Sequence, residues 1–310
     1  MKKFLIKVCV FFLIIAALDF IAGKGFGYLV SRATSGDTGR NNYICDKTNE
    51  DILIFGSSRA YRHYNPAIFL DSLGMSCYNC GQEGNGSILN YGRFQLISLR
   101  YHPKVIIYDV QPYFDYLVNS DDNHKYLGWL RSYYDKKGIA EVFESVDATE
   151  KYKMQSRMYR YNSKFTQIIM DNIHAMKSDG VNGFSPLKNE MDTVKNRMRP
   201  ASDIIVCDSL KMDYFNKMVK LAEECGSKLV FVASPYWDGR DPALLAYAKA
   251  MSQTHGILFL DYTNAPKYLH QDKYFSDGAH LNFRGADEFT RDLIAELKKR
   301  GIVTKKLATR

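Results

Sequence analysis

Hydrophobic and polar positions fall into a recurring order after residue 50. A short unbroken apolar run ends in a turn residue, and an amphipathic stretch follows. Residues 51–55 close on Gly56 and residues 104–110 follow the turn pair His102 and Pro103, while the mixed stretch 75–79, before a glycine-rich loop at 81–86, is a candidate short strand. Residues 228–233 and 256–261 repeat the pattern. Runs that are apolar at every position, not at every second one, predict strands buried on both faces, which is the signature of a parallel sheet. Between them the spacing predicts helices: residues 87–100, a stripe of Tyr214, Met218, Leu221, Ala222 and Cys225 ended by Gly226, residues 242–255, and a closing helix with Ala286, Phe289, Leu293 and Leu297 inward and Asn282 as its cap. The alternation predicts an α/β fold with a central parallel sheet, spanning residues 50–300.

Two regions depart from that rhythm. At the N-terminus, Lys2, Lys3 and Lys7 flank an apolar stretch from Val8 to Leu18, which extends to Phe4–Ile21 if Lys7 snorkels and Asp19 lies near the far interface. With no convincing small-residue cleavage site after it, residues 1–32 read as an uncleaved signal anchor; a removed signal peptide is the alternative. In both cases the basic flank stays inside and the remainder is exported. The body of the chain is thus expected outside the cytoplasm, periplasmic or at the cell surface, and secreted if the segment is cut. A loose polar linker is expected at 33–49. Residues from about 115 to 200 show helical stretches, no clear buried strand, and a concentration of tyrosines at 133, 134, 152, 159 and 161. They are read as an inserted, mostly helical cap over the strand ends, with the tyrosines in its core or stacking on sugar rings.

Charge changes the picture less than its total implies. The chain of 310 residues is 46% hydrophobic and 25% charged, with a formal net charge of +8. Much of the excess sits in residues 1–32 and in the basic tail after residue 297, so the middle is close to neutral and a nucleic-acid partner is excluded. Of six cysteines, Cys77 and Cys80 have redox-motif spacing but lack a second pair for zinc, and read as structural. His102, His124, His174, His255 and His270 show no ligand spacing, so neither a metal nor another cofactor is expected.

The candidate chemistry is a serine, a histidine and an aspartate. Ser58 follows the first apolar strand, and Asp277 and His280 stand just before the last helix. A serine hydroxyl needs an imidazole to accept its proton and a carboxylate to hold that imidazole in the right tautomer. Spacing of three lets one turn present Asp277 and His280 together. Ser57 is the runner-up nucleophile. Arg59, His63, Asn85 and Tyr236 are candidate substrate contacts, with steadying the nucleophile turn the favoured role for Arg59 and His63 and binding of an anionic substrate the alternative.

These positions resemble the SGNH (GDSL-like) hydrolase superfamily over residues 50–112 and 204–300. The resemblance implies a three-layer, flavodoxin-like sandwich. It matches Ser58 to the family's nucleophile, Gly84 to its oxyanion-hole glycine, and Asp277 and His280 to its final Asp-x-x-His block. The family's Gly-x-Asn-Asp is absent, and Gln111 stands where the oxyanion asparagine is expected, leaving the hole to the N–H groups of Ser58 and Gly84 with the Gln111 amide. A local likeness around residues 56–66, with the anchor, points to membrane-held envelope acyl-transfer proteins of the DltD type. Together these imply a serine O-acyl esterase acting on an O-acylated carbohydrate or envelope polymer. An O-acyltransferase with the same residues, or a binding protein that has lost activity, are the alternatives, and the oligomeric state is left open.

Overall fold

Five strands form one all-parallel sheet in the order β2-β1-β3-β4-β5, with β1 at Ile52–Gly56, β2 at Cys77–Asn79, β3 at Val105–Asp109, β4 at Lys228–Ala233 and β5 at Leu258–Asp261. The computed structural model describes residues 1–119, 127–173, 182–192 and 205–305. His124, His174, parts of the expected insertion and the end of the basic tail lie outside the described residues. The expected α/β fold with a parallel sheet is the observed one.

Period-two alternation explains how the sheet is covered on both faces. Ile52, Ile54, Val105, Ile107, Val230 and Val232 share one core with Ile68, Phe69 and Leu73 of the helix Pro66–Leu73 and with Phe289, Leu293 and Leu297 of the helix Phe283–Lys299. On the opposite face Phe55 meets Phe94 at 5.9 Å between ring centroids, and Phe215 lies 5.5 Å from Tyr108 and 5.1 Å from Phe231. Those partners come from the helices Ser87–Ser98 and Ser209–Glu224. Each fully buried large side chain of this kind contributes roughly 1.5–3 kcal/mol. The predicted cap is present, since the Asn282 side chain accepts from the Gly285 N–H at 3.0 Å.

The order places a reversal between β1 and β3. From β1 the chain goes outward to β2, then returns to the other side of β1 as β3. A crevice opens at the carboxyl ends of strands where such a reversal occurs. Ser58 follows β1 and Gln111 follows β3, so both start from that place.

The chain divides into two compact units, one of residues 48–121 and 178–310, which holds the sheet, and one of residues 1–47 and 122–177. The second unit is helical. Its first element is Lys2–Arg32, one helix of 31 residues, long and apolar enough to cross a membrane. Phe4, Phe11, Phe12, Leu13 and Ile21 lie exposed along its first part. From Asp19 onward the same helix is engaged: the Asp19 carboxylate accepts from Ser156 Oγ at 2.5 Å and from the N–H groups of Arg157 and Met158 at 2.8 and 3.1 Å. Phe26 packs 4.9 Å from Phe165. The stretch expected as a linker instead forms the helix Gly36–Asn42 and a further turn at Tyr43–Lys47. It is held there by side-chain bonds such as Asn42 Nδ2 to the Val30 carbonyl at 2.6 Å, a kind of capping that composition does not reveal. The described part of the insertion is helical in segments, with Ile139–Val146, Glu150–Lys153 and Phe165–Ile173, whereas residues 182–192 carry no helix. Tyr133 and Tyr161 are buried, Tyr134 and Tyr159 donate to Glu144 and Glu150, and Tyr152 is exposed.

Candidate active site

The turn after β1 depends on a residue without a side chain. Gly56 has φ 142°, and a Cβ there would lie 2.7 Å from the Asp109 carbonyl oxygen and 2.9 Å from Ala60 Cβ. Glycine thus lets β1 run close beside β3 and turn at once into the helix Ser58–His63. Ser57 is the extended residue before that helix, with its hydroxyl buried and unpartnered. Ser58 is the first helical residue, and its Oγ lies 2.9 Å from Nε2 of His280. Of the two candidate serines, Ser58 is the one that meets the imidazole.

Asp277 and His280 are carried by a tight turn. The Ser276 N–H donates to the His280 carbonyl at 2.8 Å, and Phe275 bridges to Leu281. Asp277 Oδ1 accepts from the N–H groups of Ala279 and His280 at 2.8 and 2.9 Å, which makes it an Asx-turn residue. Its carboxylate also faces His280 Nδ1, at 2.9 and 3.0 Å. A single side chain therefore shapes the turn and orients the ring. Partial burial raises the Asp277 carboxyl, but the hydrogen bonds from the His280 ring and from the two backbone N–H groups outweigh it and hold the group below the usual carboxylate range. An ionised carboxylate accepts only, so Nδ1 carries the imidazole proton and the Nε2 lone pair faces the Ser58 hydroxyl.

Behind this exposed series lies a buried one. His63, a candidate either for steadying the nucleophile turn or for contacting substrate, is fully buried. Its Nε2 accepts from the Leu281 N–H at 3.0 Å, and its Nδ1 lies 2.9 Å from Ser234 Oγ. Because the amide can only donate, the proton of a neutral His63 sits on Nδ1 and is given to Ser234. Burial pushes this imidazole well below its ordinary value, and Arg59 and His280 add to the effect, so His63 is uncharged. Ser234 Oγ also accepts from Arg59 at 2.8 Å, and Asp109 Oδ1 accepts from the Tyr64 hydroxyl at 2.6 Å and the Ser234 N–H at 3.1 Å. Burial raises the Asp109 carboxyl even though Arg59 and these donors oppose it. Arg59 is buried as well, and it further donates to the carbonyl oxygens of Ser234 and Pro235. The sequence singled out Arg59, His63 and Tyr236, but not Asp109 or the backbone of Leu281. An aspartate at the end of an otherwise apolar strand was the available signal.

Gln111 and Tyr236 come together at the reversal. The Tyr236 hydroxyl donates to Gln111 Oε1 at 2.8 Å, and Arg59 Nη1 approaches the same oxygen at 3.5 Å. A guanidinium has no acceptor, so it fixes the amide with its oxygen inward and its NH2 as the other end. Below it, buried Asp115 accepts from the Gln111 N–H and from the Tyr108 hydroxyl, each at 2.6 Å. Burial raises this carboxyl to about 7. The loop at 81–86 is tied to the nucleophile turn by the Gln82 N–H, which donates to the Gly56 carbonyl at 3.1 Å. Gly84 lies in this loop with φ 65°. Asn85 is buried and gives one Nδ2 hydrogen to the Glu83 carbonyl at 2.6 Å. Cys77 and Cys80 are buried in the core, where burial lifts the Cys77 thiol well above its ordinary value.

No family model and no curated protein matches this chain. Among solved structures it is similar to BT4096, a gut microbial diltiazem-metabolizing enzyme, with 14% identity and a TM-score of 0.38 over 83% of this chain and 48% of that one. It is also similar to a candidate platelet activating factor from Streptococcus pneumonia, with 14% identity and a TM-score of 0.31 over 84% of this chain and 90% of that one. The chain thus spans about half the length of the first of these. At such scores neither likeness bears on the chemistry.

Proposed function

We propose that this protein is an SGNH-type serine O-acyl esterase, held at a membrane by its N-terminal helix, with its sheet-bearing unit outside the cytoplasm. Its substrate class is an O-acylated glycan or envelope polymer. The observation that carries the reading is the continuous series from Ser58 Oγ through the His280 ring to Asp277, with every link at 2.9–3.0 Å. His280 Nε2 accepts the Ser58 proton as Oγ attacks the ester carbonyl, and Asp277 stabilises the imidazolium that forms. The developing oxyanion is met by the Ser58 N–H, which lies in a helical first turn where amides lack intrahelical partners, together with the Gly84 N–H and the Gln111 amide. His280 then returns the proton to the leaving alcohol, and water resolves the acyl-enzyme by the same path.

Labelling with a fluorophosphonate probe tests this reading. The wild-type chain in detergent should be labelled and the Ser58→Ala variant should not. Equal labelling of the two, or none of either, would sink it.

A further inference from the structure

A cavity of about 170 Å³ adjoins the site and takes no part in the hydrogen-bond series. Arg59, next to Ser58, Ala279, next to His280, and Gln111 are on its wall. The rest is largely apolar: Val110 and Pro112 from the segment after β3, and Leu244 and Leu245 from the short helical turn Pro242–Leu245. The Tyr236 ring forms a further wall, and its position is fixed. The guanidiniums of Arg59 and Arg240 lie 3.6 and 4.0 Å from its centroid, and its hydroxyl is spent on Gln111. The arginines do not turn the cavity into an anion site. Arg59 directs Nη2 to the Ser234 and Pro235 carbonyls and Nη1 toward Gln111, and Arg240 gives Nη1 to Asp238 and the Gly239 carbonyl, each at 2.8 Å.

We propose that this cavity is the acyl pocket and that it selects an uncharged aliphatic acyl chain of about four to six carbons over acetyl, an inference that rests on the esterase reading. The size follows from volume: a protein cavity of about 150 Å³ takes up a six-carbon ring. Acetyl would leave most of the space unfilled. Burying each further methylene against such walls is worth about fourfold in rate, so butyryl should exceed acetyl by about fifteenfold.

The test is turnover of p-nitrophenyl acetate, butyrate, hexanoate and decanoate by the full chain in detergent, with Leu244→Ala and Leu244→Phe beside wild type. Fluorophosphonate labelling of each variant reports that Ser58 and His280 are still assembled. The inference stands if kcat/KM peaks at butyrate or hexanoate, and if Leu244→Ala moves the peak to longer chains and Leu244→Phe to acetate. An acetate optimum in the wild type, a flat series, or a peak that neither variant moves would overturn the pocket assignment while labelling kept the serine-esterase reading intact. Absence of both labelling and turnover would bring down both.

Discussion

Two histidines stand with ring centroids 6.2 Å apart, nearly perpendicular, and their surroundings give them opposite parts. His280 is a quarter exposed and has a carboxylate on one nitrogen and a serine hydroxyl on the other. His63 is sealed from solvent, with a backbone amide on one nitrogen and Ser234 on the other. The first ring can gain a proton, because a negative charge waits to balance it. The second faces a donor at Nε2 and a guanidinium nearby, so protonating it would break the bond to Leu281 and put two cations side by side. On the proposed mechanism the same side chain serves as a proton carrier in one place and as a brace in the other. The brace holds the residue directly after the carrier.

Substitutions should separate the two parts. Replacing the carboxylate that gives His280 its proton-carrying role has the largest expected effect: Asp277→Asn should lower kcat by about 10⁴-fold with little change in KM, because an amide can stabilise the wrong tautomer. Weaker loss at His63 is expected to show as misplacement. His63→Leu should cost about 10²-fold in kcat with KM unchanged, the order expected when a reacting group shifts by about 1 Å. His63→Gln supplies an acceptor for the Leu281 N–H and should recover most of that loss. If Leu and Gln variants were equally impaired, the bond to Leu281 would not be what matters.

The smallest effect concerns stability beneath Gln111. Folded Asp115 keeps its proton up to about 7, whereas the unfolded chain releases it near 3.8. Its contribution to stability is therefore complete below the unfolded value, fades as pH rises between the two, and is absent above the folded value. Thermal melts should show a lower midpoint at about pH 8 than at about pH 5.5. Asp115→Asn can still accept from the Gln111 N–H and donate to Tyr108, so it should flatten that slope without abolishing the fold.

The sheet was readable because parallel strands buried on both sides leave unbroken apolar runs. Residues 228–233 were placed to the residue, and the closing helix declared itself by Ala286, Phe289, Leu293 and Leu297, all fully buried. Ser58, Asp277 and His280 could be singled out because each occupies a turn where chain direction changes. The buried polar layer could not be read in the same way. Arg59, His63 and Asp115 are residue types that usually face water, and only the partners brought in from β3, from the segments after β3 and β4 and from the final turn make their burial tolerable. The acyl cavity was hidden for a related reason: Leu244 and Leu245 belong to a short helical turn whose periodicity is too brief to show a face. The 33–49 stretch misled by composition, since its polar residues cap and bridge helices and are not left loose in solvent.

The unbroken helix Lys2–Arg32 has a consequence for maturation and delivery. Its apolar lower half and its packed upper half meet near Asp19, whose carboxylate caps the chain at 156–158. A protease cutting just beyond Ile21 would remove that carboxylate, so clipping the tether would also unfasten the helical unit beside it. From Asp19 to Arg32 the helix rises about 20 Å, at about 1.5 Å per residue. On the proposed reading, in which the apolar half is held in a membrane, such a stiff stalk would keep that unit close to the bilayer surface, without the reach a flexible leash would give.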